Sequence, residues 1–314
     1  MLEFLVHRAA ISVVTLFVIS LIVFTGVRMI PGDPARVMGG TESDEAGLAE
    51  IRAKYGLDDP IVLQYLRWVR LAASGDLGES IRTRESVVRT VARKLPITIE
   101  LAVLTILGVA LIGIPLGVVA SVSRSVRVRT LVQIVGVLGL SMPTFWIAIL
   151  LIIGASSLFG WLPALIYVSP LADPWVNLQQ MFLPVLSLSL GLSAVVARMT
   201  RSSMLEVLGQ DFIRVARAKG LSRKAVLLRH ALRNALIPIV TVLGLQTGFL
   251  LGGVVITEQI FGLPGLGWTL LNGVYQRDYP VVQGTVMVFA VTFVLINLVV
   301  DLLYTYLDPR IRYE

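Results

Sequence analysis

Residues Asp211–Pro238 read DFIRVARAKGLSRKAVLLRHALRNALIP and form the most basic stretch of a very apolar chain. Nine Lys or Arg residues lie between Arg198 and Arg233, against two acids, Glu206 and Asp211. On either side lie segments of 20 or more residues without any charge. A basic stretch between two long uncharged segments indicates a loop at a membrane surface.

This stretch divides at Lys219-Gly220-Leu221-Ser222. Gly can take the left-handed conformation that ends a helix, and Ser can cap the next one. The pattern therefore predicts two short amphipathic helices joined by a Gly turn. Their predicted apolar faces are, before the turn, Phe212, Val215 and Ala216, and after it, Leu228, Leu232, Ala235 and Leu236.

The stretch resembles the cytoplasmic coupling loop of bacterial ABC-importer permeases. That loop reads Glu-Ala-Ala, three residues, Gly, nine residues, Ile-x-Leu-Pro. The positions that match are Ala216, Gly220 and Leu232; those that depart are Arg214, His230 and Arg233. ARAKGL and RHALRNALIP are similar to the dipeptide/oligopeptide branch of the peptide/nickel importer family, where such departures are usual. PGDP, YGLDDPIVLQYLRWV, GDLGES and EQIFGLPGLGW extend this resemblance over nearly the whole chain.

Composition supports a membrane protein independently of that resemblance. The chain has 314 residues, of which 56% are hydrophobic and 15% charged, whereas a soluble domain carries about 25% charged residues. The net charge of +7 is explained by loops near anionic lipid, since no nucleic-acid-binding pattern accompanies it. With no Cys, disulfides and thiol chemistry are excluded.

Hydropathy predicts an all-α chain with six transmembrane helices, and one permease domain over residues 1–314. The predicted spans are about 9–30, 97–123, 130–159, 178–201, 236–257 and 280–306, with a kink at Ser141-Met142-Pro143. An external loop is predicted at 31–94, another at 258–280, and the cytoplasmic coupling loop at 202–235. The short loops assigned inside carry three and nine basic residues, and those outside zero and one, which predicts cytoplasmic N- and C-termini.

The resemblance implies a type I ABC importer permease of the MetI-like architecture in the bacterial inner membrane. It implies a second permease subunit, two ATP-binding-cassette ATPases and an extracytoplasmic substrate-binding protein. ATP and Mg would be bound by the ATPases, so no cofactor is expected in this chain. The residues expected to contact the ATPases are Ala216, Arg217, Ala218, Lys219, Gly220, Leu221 and Ser222.

The sequence carries no pattern for catalysis. The dipeptide Gly-Lys of a phosphate-binding loop never occurs. Only two His are present, His7 and His230, without a metal-ligand pattern. We therefore predict no catalytic residue, no metal site and no ATP hydrolysis by this chain itself.

Polar residues in or near the spans are candidate functional residues, because an unpartnered polar group in lipid is costly. They are Glu100, Gln133, Gln246, Gln283, Asn297 and Asp301. Gln246 and Asn297 are predicted to line a substrate path, although such groups also serve to hydrogen-bond a neighbouring helix. Three aromatic residues, Tyr65, Trp68 and Phe261, are predicted to contact the binding protein.

The predicted substrate is a di- or oligopeptide, because of the branch that the chain resembles. Nickel and glutathione permeases of the same family remain alternatives, with nickel disfavoured by the lack of a soft-ligand cluster. A secondary transporter that needs no ATPase is the alternative from another class. It would be expected to show unwound mid-span motifs or paired intramembrane charges, and copurification of ATPases would separate the two.

Overall fold

The structure is a computed structural model that describes residues 2–29, 35–36, 44–164 and 166–307. The predicted PGDP turn at 31–34 and the tail from residue 308 lie outside the described residues. Within them the chain is all-α, apart from one isolated bridge between Glu79 and Ser86. The helices are α1 (Leu2–Arg28), α2 (Glu45–Tyr55), α3 (Ile61–Ala73), α4 (Val87–Val122), α5 (Val126–Ser141), α6 (Thr144–Phe159), α7 (Pro174–Leu208), α8 (Asp211–Ala218), α9 (Arg223–Phe261), α10 (Leu266–Gln276) and α11 (Tyr279–Leu307).

Five of these helices are long and apolar enough to cross a membrane: α1, α4, α7, α9 and α11. Helices α5 and α6 pass the same test as a pair and bring the number to six if they form one span. The all-α membrane fold expected from hydropathy is therefore confirmed.

The predicted kink at Ser141-Met142-Pro143 is a complete break, and α6 is bent by 109° from α5. Pro143 cannot donate a backbone hydrogen bond, and its ring drives Met142 into an extended conformation with φ −88° and ψ 129°. Each half has 16 residues and is about 24 Å long. Neither half alone spans a hydrocarbon core of about 30 Å.

Two expectations around α9 are corrected. The helix after the Gly turn is not short: it continues from Arg223 to Phe261. The loop expected to begin at Glu258 begins four residues later, at Gly262, which has a φ of +65° and ends the helix. No turn residue precedes Gly262, so nothing stops the helix at Glu258.

The chain divides into two compact units. One comprises Met1–Ile97 and Pro264–Leu295. In it, α3 packs on α1 through the rings of Phe24, Tyr65 and Trp68, with centroids 5.2–6.2 Å apart. A buried Asp278 carboxylate accepts hydrogen bonds from the Ser80 hydroxyl and from the Ile81 N–H at 3.1 Å. This contact joins the segment before α4 to the segment before α11.

The other unit comprises Thr98–Leu263 and the chain from Ile296. Helix α7 is the most buried of the candidate spans, and α4, α5, α6 and α9 pack around it. Glycines of α4 permit close approach: a Cβ at Gly117 would lie 2.4 Å from Thr200 Cβ and 2.5 Å from the Ala197 carbonyl oxygen. The small residues of α4 thus let this helix pack closely on α7.

Candidate functional site

The coupling segment, Asp211–Ala225, contains the turn that the sequence predicted. Helix α8 ends at Ala218, and Gly220 adopts a left-handed φ of +80°. Ser222 then caps α9, its hydroxyl oxygen accepting from the Ala225 N–H at 3.3 Å. Beyond Gly220 and its two chain neighbours, no heavy atom of the described residues lies within 4 Å of the place where a Cβ on Gly220 would sit. Glycine is therefore required here by backbone conformation and not by crowding.

The coupling segment is anchored through a different face from the one predicted. Ile213 and Ala216 of α8 are buried, whereas Phe212 and Val215 are exposed. Ala216 was expected among the ATPase contacts, but it packs inside the protein. The buried cluster that receives this face consists of Val109, Val196, Met204, Val226, Ala231, Ala235 and Ile239.

The start of α9 is π-helical over Val226–Leu232. This explains why the apolar stripe predicted for this helix is also wrong in part. Its buried residues are Val226 and Ala231, five apart, followed by Ala235 and Ile239 at intervals of four. A π turn makes i→i+5 hydrogen bonds and so places residues five apart on one face. Leu228, predicted for the apolar stripe from a 3.6-residue period, is exposed instead, while Leu232 and Leu236 are partly buried.

The outward side of the coupling segment combines apolar and basic side chains. Phe212, Val215 and Leu221 are 44%, 53% and 41% exposed. The other predicted contact residues, Arg217, Ala218, Lys219, Gly220 and Ser222, are exposed too. A cavity of about 470 Å³ beside the turn is lined by Arg124, Arg217 and Arg223, together with apolar side chains.

A backbone contact ties this segment to α4. The guanidinium of Arg223 donates to the carbonyl oxygen of Val122, the last residue of α4, at 3.3 Å. Val122 lines the arginine-rich cavity as well. The C-terminal carbonyls of a helix carry partial negative charge, so a cation there is stabilising.

The two predicted path residues lie on different helices. Gln246 is buried within α9, and Asn297 is half-buried in α11. Their assignment to a substrate path stays a prediction.

The predicted binding-protein contacts differ in their surroundings. Tyr65 and Trp68 turn toward α1, and the Tyr65 hydroxyl lies 2.7 Å from the Ser20 hydroxyl. Phe261, the last residue of α9, lines a cavity of about 610 Å³ together with Tyr167 and Gln180. Of the three, Phe261 alone borders this cavity.

Two carboxylates, one buried and one half-buried, were not identified as paired residues from the sequence. Glu258 is fully buried and accepts from the Thr98 hydroxyl at 2.6 Å. Two residues along α4, Glu100 accepts from the Tyr167 hydroxyl at 2.6 Å. The available signal was the position of Thr98 and Glu100, two and four residues after Pro96, at the predicted start of an apolar span.

The segment after α6 is held in place by side chains of α7. Gln180 accepts from the Val168 N–H at 2.9 Å and donates to the Ala164 carbonyl oxygen at 2.9 Å. Asn177 donates to the Val168 carbonyl oxygen at 3.0 Å. Burial and the hydrogen bond to Glu100 raise the pKa of Tyr167 well above its ordinary value of 10.0, so this hydroxyl remains a donor at neutral pH.

The chain matches two known protein families. Residues 113–313 match the family described as "Binding-protein-dependent transport system inner membrane component". Residues 1–102 match the family described as "Binding-prot-dependent transport system membrane comp, N-term". The first match includes the coupling segment together with α7 and α9.

Similar proteins and structures agree with these matches. The glutathione transport system permease protein GsiC of Escherichia coli (strain K12) is 41% identical over 314 residues, which are 100% of both chains. GsiC of Shigella flexneri serotype 5b (strain 8401) shows the same identity and coverage.

Among solved structures, an inward-facing MetNI methionine ABC transporter matches with a TM-score of 0.56 at 22% identity, covering 69% of this chain and 96% of that one. An amino acid ABC transporter matches with a TM-score of 0.50 at 17% identity, covering 71% of this chain and 94% of that one. These two likenesses show the fold. The chain therefore belongs to the family of inner-membrane components of binding-protein-dependent transport systems, and it is a multi-pass permease subunit of an ABC importer.

Proposed function

We propose that this permease subunit moves short peptides, glutathione among them, and that separate ATPase subunits drive it through the coupling segment. The observation that carries the proposal is a surface of exposed apolar side chains beside a left-handed Gly turn, on a helix whose other face is buried. Exposed apolar groups grouped on one surface and surrounded by charge are typical of a protein contact.

The chemistry of this surface indicates what the ATPase should present. Phe212, Val215 and Leu221 offer apolar area, while Arg217 and Lys219 place positive charge around it. An apolar centre with a charged rim is the usual anatomy of a protein interface. The matching ATPase surface should therefore be an apolar groove bordered by Asp or Glu side chains.

The continuity of α9 provides a path for the signal. This helix runs from Arg223, beside the turn, to Phe261, beside the cavity at its other end. Its 39 residues correspond to about 58 Å. A displacement of the coupling segment would thus be transmitted along a single helix to the opposite side of the membrane.

The substrate proposal draws on the relatives. GsiC is a glutathione permease by name, and glutathione is a small peptide. We propose short peptides as the substrate class, with glutathione as the first compound to test. The binding protein would release its ligand near Phe261, whereas Tyr65 and Trp68 are engaged by α1.

Transport by the reconstituted complex tests this proposal. Vesicles containing this chain, its partner permease and ATPases should accumulate labelled glutathione or a dipeptide when ATP is enclosed and loaded binding protein is added. Nickel uptake serves as the comparison substrate. Accumulation of nickel alone would contradict the peptide assignment, and peptide accumulation without the ATPases would favour the secondary-transporter alternative.

A further inference from the structure

Two adjoining cavities in the unit of Met1–Ile97 and Pro264–Leu295 have no role in the proposed transport cycle. Both lie between α1, α3 and α11, and Trp68 lines both. The first, of about 460 Å³, is at the end of α1 near Arg28 and the start of α11 near Tyr279. The second, of about 790 Å³, lies further along the same two helices, at Val13–Ser20 and Met287–Leu295.

The first cavity is the more polar of the two and contains the guanidinium of Arg28, which has no carboxylate partner among the described residues. Three arginines, Arg28, Arg52 and Arg67, line it together with Asp58 and Asp59, and Arg52 pairs with Glu45 at 4.0 Å. Asp59 pairs with Arg67 at 2.8 Å. Arg28 instead donates to the neutral Gln64 amide oxygen at 2.7 Å and lies over the Phe24 ring. Among the described residues no carboxylate pairs with Arg28, so its charge is available to an anion.

A second group in this cavity also lacks a partner. The Tyr279 side chain is only 7% exposed, and its hydroxyl has no hydrogen-bond partner within the described part of the chain. Burying a hydroxyl without a hydrogen-bond partner costs free energy, because the hydrogen bonds that it makes with water in the unfolded chain are lost. Tyr279 lines the same cavity as Arg28, so a phosphate bound to Arg28 would bring acceptor oxygens next to Tyr279.

The second cavity is an apolar groove. Its walls include Leu16, Phe17, Leu95, Val291 and Leu295, and small residues at Ala72 and Ala92 keep it open. From Val27 to Val13 the groove and the polar cavity together follow α1 for about 21 Å. One leaflet of a bilayer has a hydrocarbon depth of about 15 Å. The pair of cavities therefore has the length and the polarity gradient of a lipid molecule.

We propose that one phospholipid binds here, with its phosphate between Arg28 and Tyr279 and one acyl chain in the groove below Trp68. Charge complementarity selects the phosphate, and the apolar walls select the chain. The bound lipid would fix α3 against α1 at the membrane surface. This site depends on the membrane fold and not on the identity of the transported substrate.

Native mass spectrometry of the purified complex tests this assignment, with dioleoyl phosphatidylglycerol as the probe. We expect one phospholipid to remain bound to this subunit. Combining Arg28→Gln with Tyr279→Phe removes charge-assisted hydrogen bonds and should lower its affinity about tenfold or more. Ala92→Phe should block the groove and release the lipid while leaving the polar cavity intact. Arg70→Gln is the matched control, because Arg70 is exposed on α3 and lines neither cavity.

Three results would overturn the proposal. Unchanged lipid retention in both the head-group and the groove variants would exclude this site. Thermal stabilisation by inorganic phosphate equal to that by phosphatidylglycerol would identify an anion site without a lipid chain. Disulfide cross-linking of Ala73→Cys to a single Cys in the partner permease would show that a protein segment fills the groove. The absence of native Cys makes that cross-link unambiguous.

Discussion

At the scale of single residues, Gly220 is the most constrained position of the coupling segment. Its φ of +80° is strained for a β-branched side chain, although the space around it is open. Gly220→Val should therefore misdirect α8 and its exposed side chains without disturbing the spans. We expect normal insertion and assembly, loss of uptake, and ATPase activity that no longer responds to substrate, measured in reconstituted vesicles at matched expression.

Two controls separate backbone strain from other effects of this substitution. Gly220→Asn should retain much of the coupling, because Asn tolerates the left-handed region. Gly252→Val places the same side chain in a helix where a Cβ meets nothing within 4 Å, so it should transport normally. Charge reversal at Arg217 should do less than Gly220→Val, since an exposed ion pair contributes about 0–1 kcal/mol. Normal coupled uptake by Gly220→Val would exclude this turn as the point of transmission.

Tyr167 provides a second prediction at this scale. Tyr167→Phe removes the hydrogen bond to Glu100, whose other carboxylate oxygen is already without a partner among the described residues. Loss of this bond should destabilise the protein by about 1–3 kcal/mol, seen as a lower Tm of the purified complex. Tyr275→Phe, at an exposed position, should leave Tm unchanged; equal shifts in the two variants would contradict the assignment.

The pH dependence follows from the raised pKa of Tyr167. A group whose pKa is higher in the folded than in the unfolded state stabilises the folded protein fully at pH values below the unfolded pKa, here 10.0. This stabilisation is lost as the pH rises through the folded-state pKa. The difference in Tm between wild type and Tyr167→Phe should therefore be constant from neutral pH to about pH 9. It should shrink only in more alkaline solution.

Residue-level prediction from the sequence succeeded where the cause is local. The turn at Gly220 and the Ser222 cap depend on a few neighbouring residues, and both are present as expected. The burial of Ala216 and Glu258 depends on which distant helices they meet. No local sequence pattern shows which distant helices these residues will contact. The buried face predicted for α8 was therefore wrong, and Glu258 was predicted to lie in a loop.

At the scale of helices, the contact between α4 and α7 depends on the absence of a side chain at Gly117. A methyl group there would lie within 2.5 Å of the α7 backbone, so the helices would have to separate. Gly117→Ala should destabilise the protein by about 1–3 kcal/mol through overpacking, measured as thermal unfolding in detergent. Gly252→Ala, where the Cβ has open space, is the matched control. Similar Tm values for the two variants would show that this contact is not tight.

The π-helical start of α9 makes a prediction about chain length. Deleting Leu228 would bring the buried pair Val226 and Ala231 from a spacing of five to a spacing of four, which suits an ordinary α-helix. The buried face would be kept, so the protein should still insert and assemble. Deleting Leu245, which is also exposed but lies in a regular part of α9, should rotate the remainder by about 100° and abolish assembly. Copurification with the partner subunits measures both; identical behaviour would contradict a register role for the π segment.

This segment also shows why periodicity alone misassigned a face. A period of 3.6 residues gave Leu228, Leu232, Ala235 and Leu236, whereas the protein buries Val226, Ala231, Ala235 and Ile239. The two sets share only Ala235, which lies after the π-helical segment, where the helix is a regular α-helix. Local widening of the helix cannot be read from apolar spacing, because Val, Leu and Ala residues occur on every side of it.

At the scale of the whole molecule, the number of candidate spans was predictable because lipid imposes long apolar segments. The sharp break at Pro143 was predictable only as a kink, since the bend angle depends on packing of α5 and α6 on α7. Two helices of about 24 Å each, bent by 109°, have an end-to-end distance of about 28 Å. That distance is close to a hydrocarbon core of about 30 Å, so the pair can still cross as a single span.

Single cysteines test this arrangement directly, because the chain has none of its own. With both termini and the coupling segment inside, Ser74→Cys and Gly262→Cys should react with an impermeant maleimide in intact cells, whereas Ser125→Cys and Ser222→Cys should not. Ala172→Cys, exposed in the segment after α6, decides the course of the bent pair. Its labelling places the two ends of the α5–α6 pair on opposite sides, as a single span requires. Protection of Ala172→Cys together with Ser125→Cys would make the pair a re-entrant hairpin, and labelling of Ser222→Cys would reverse the proposed orientation.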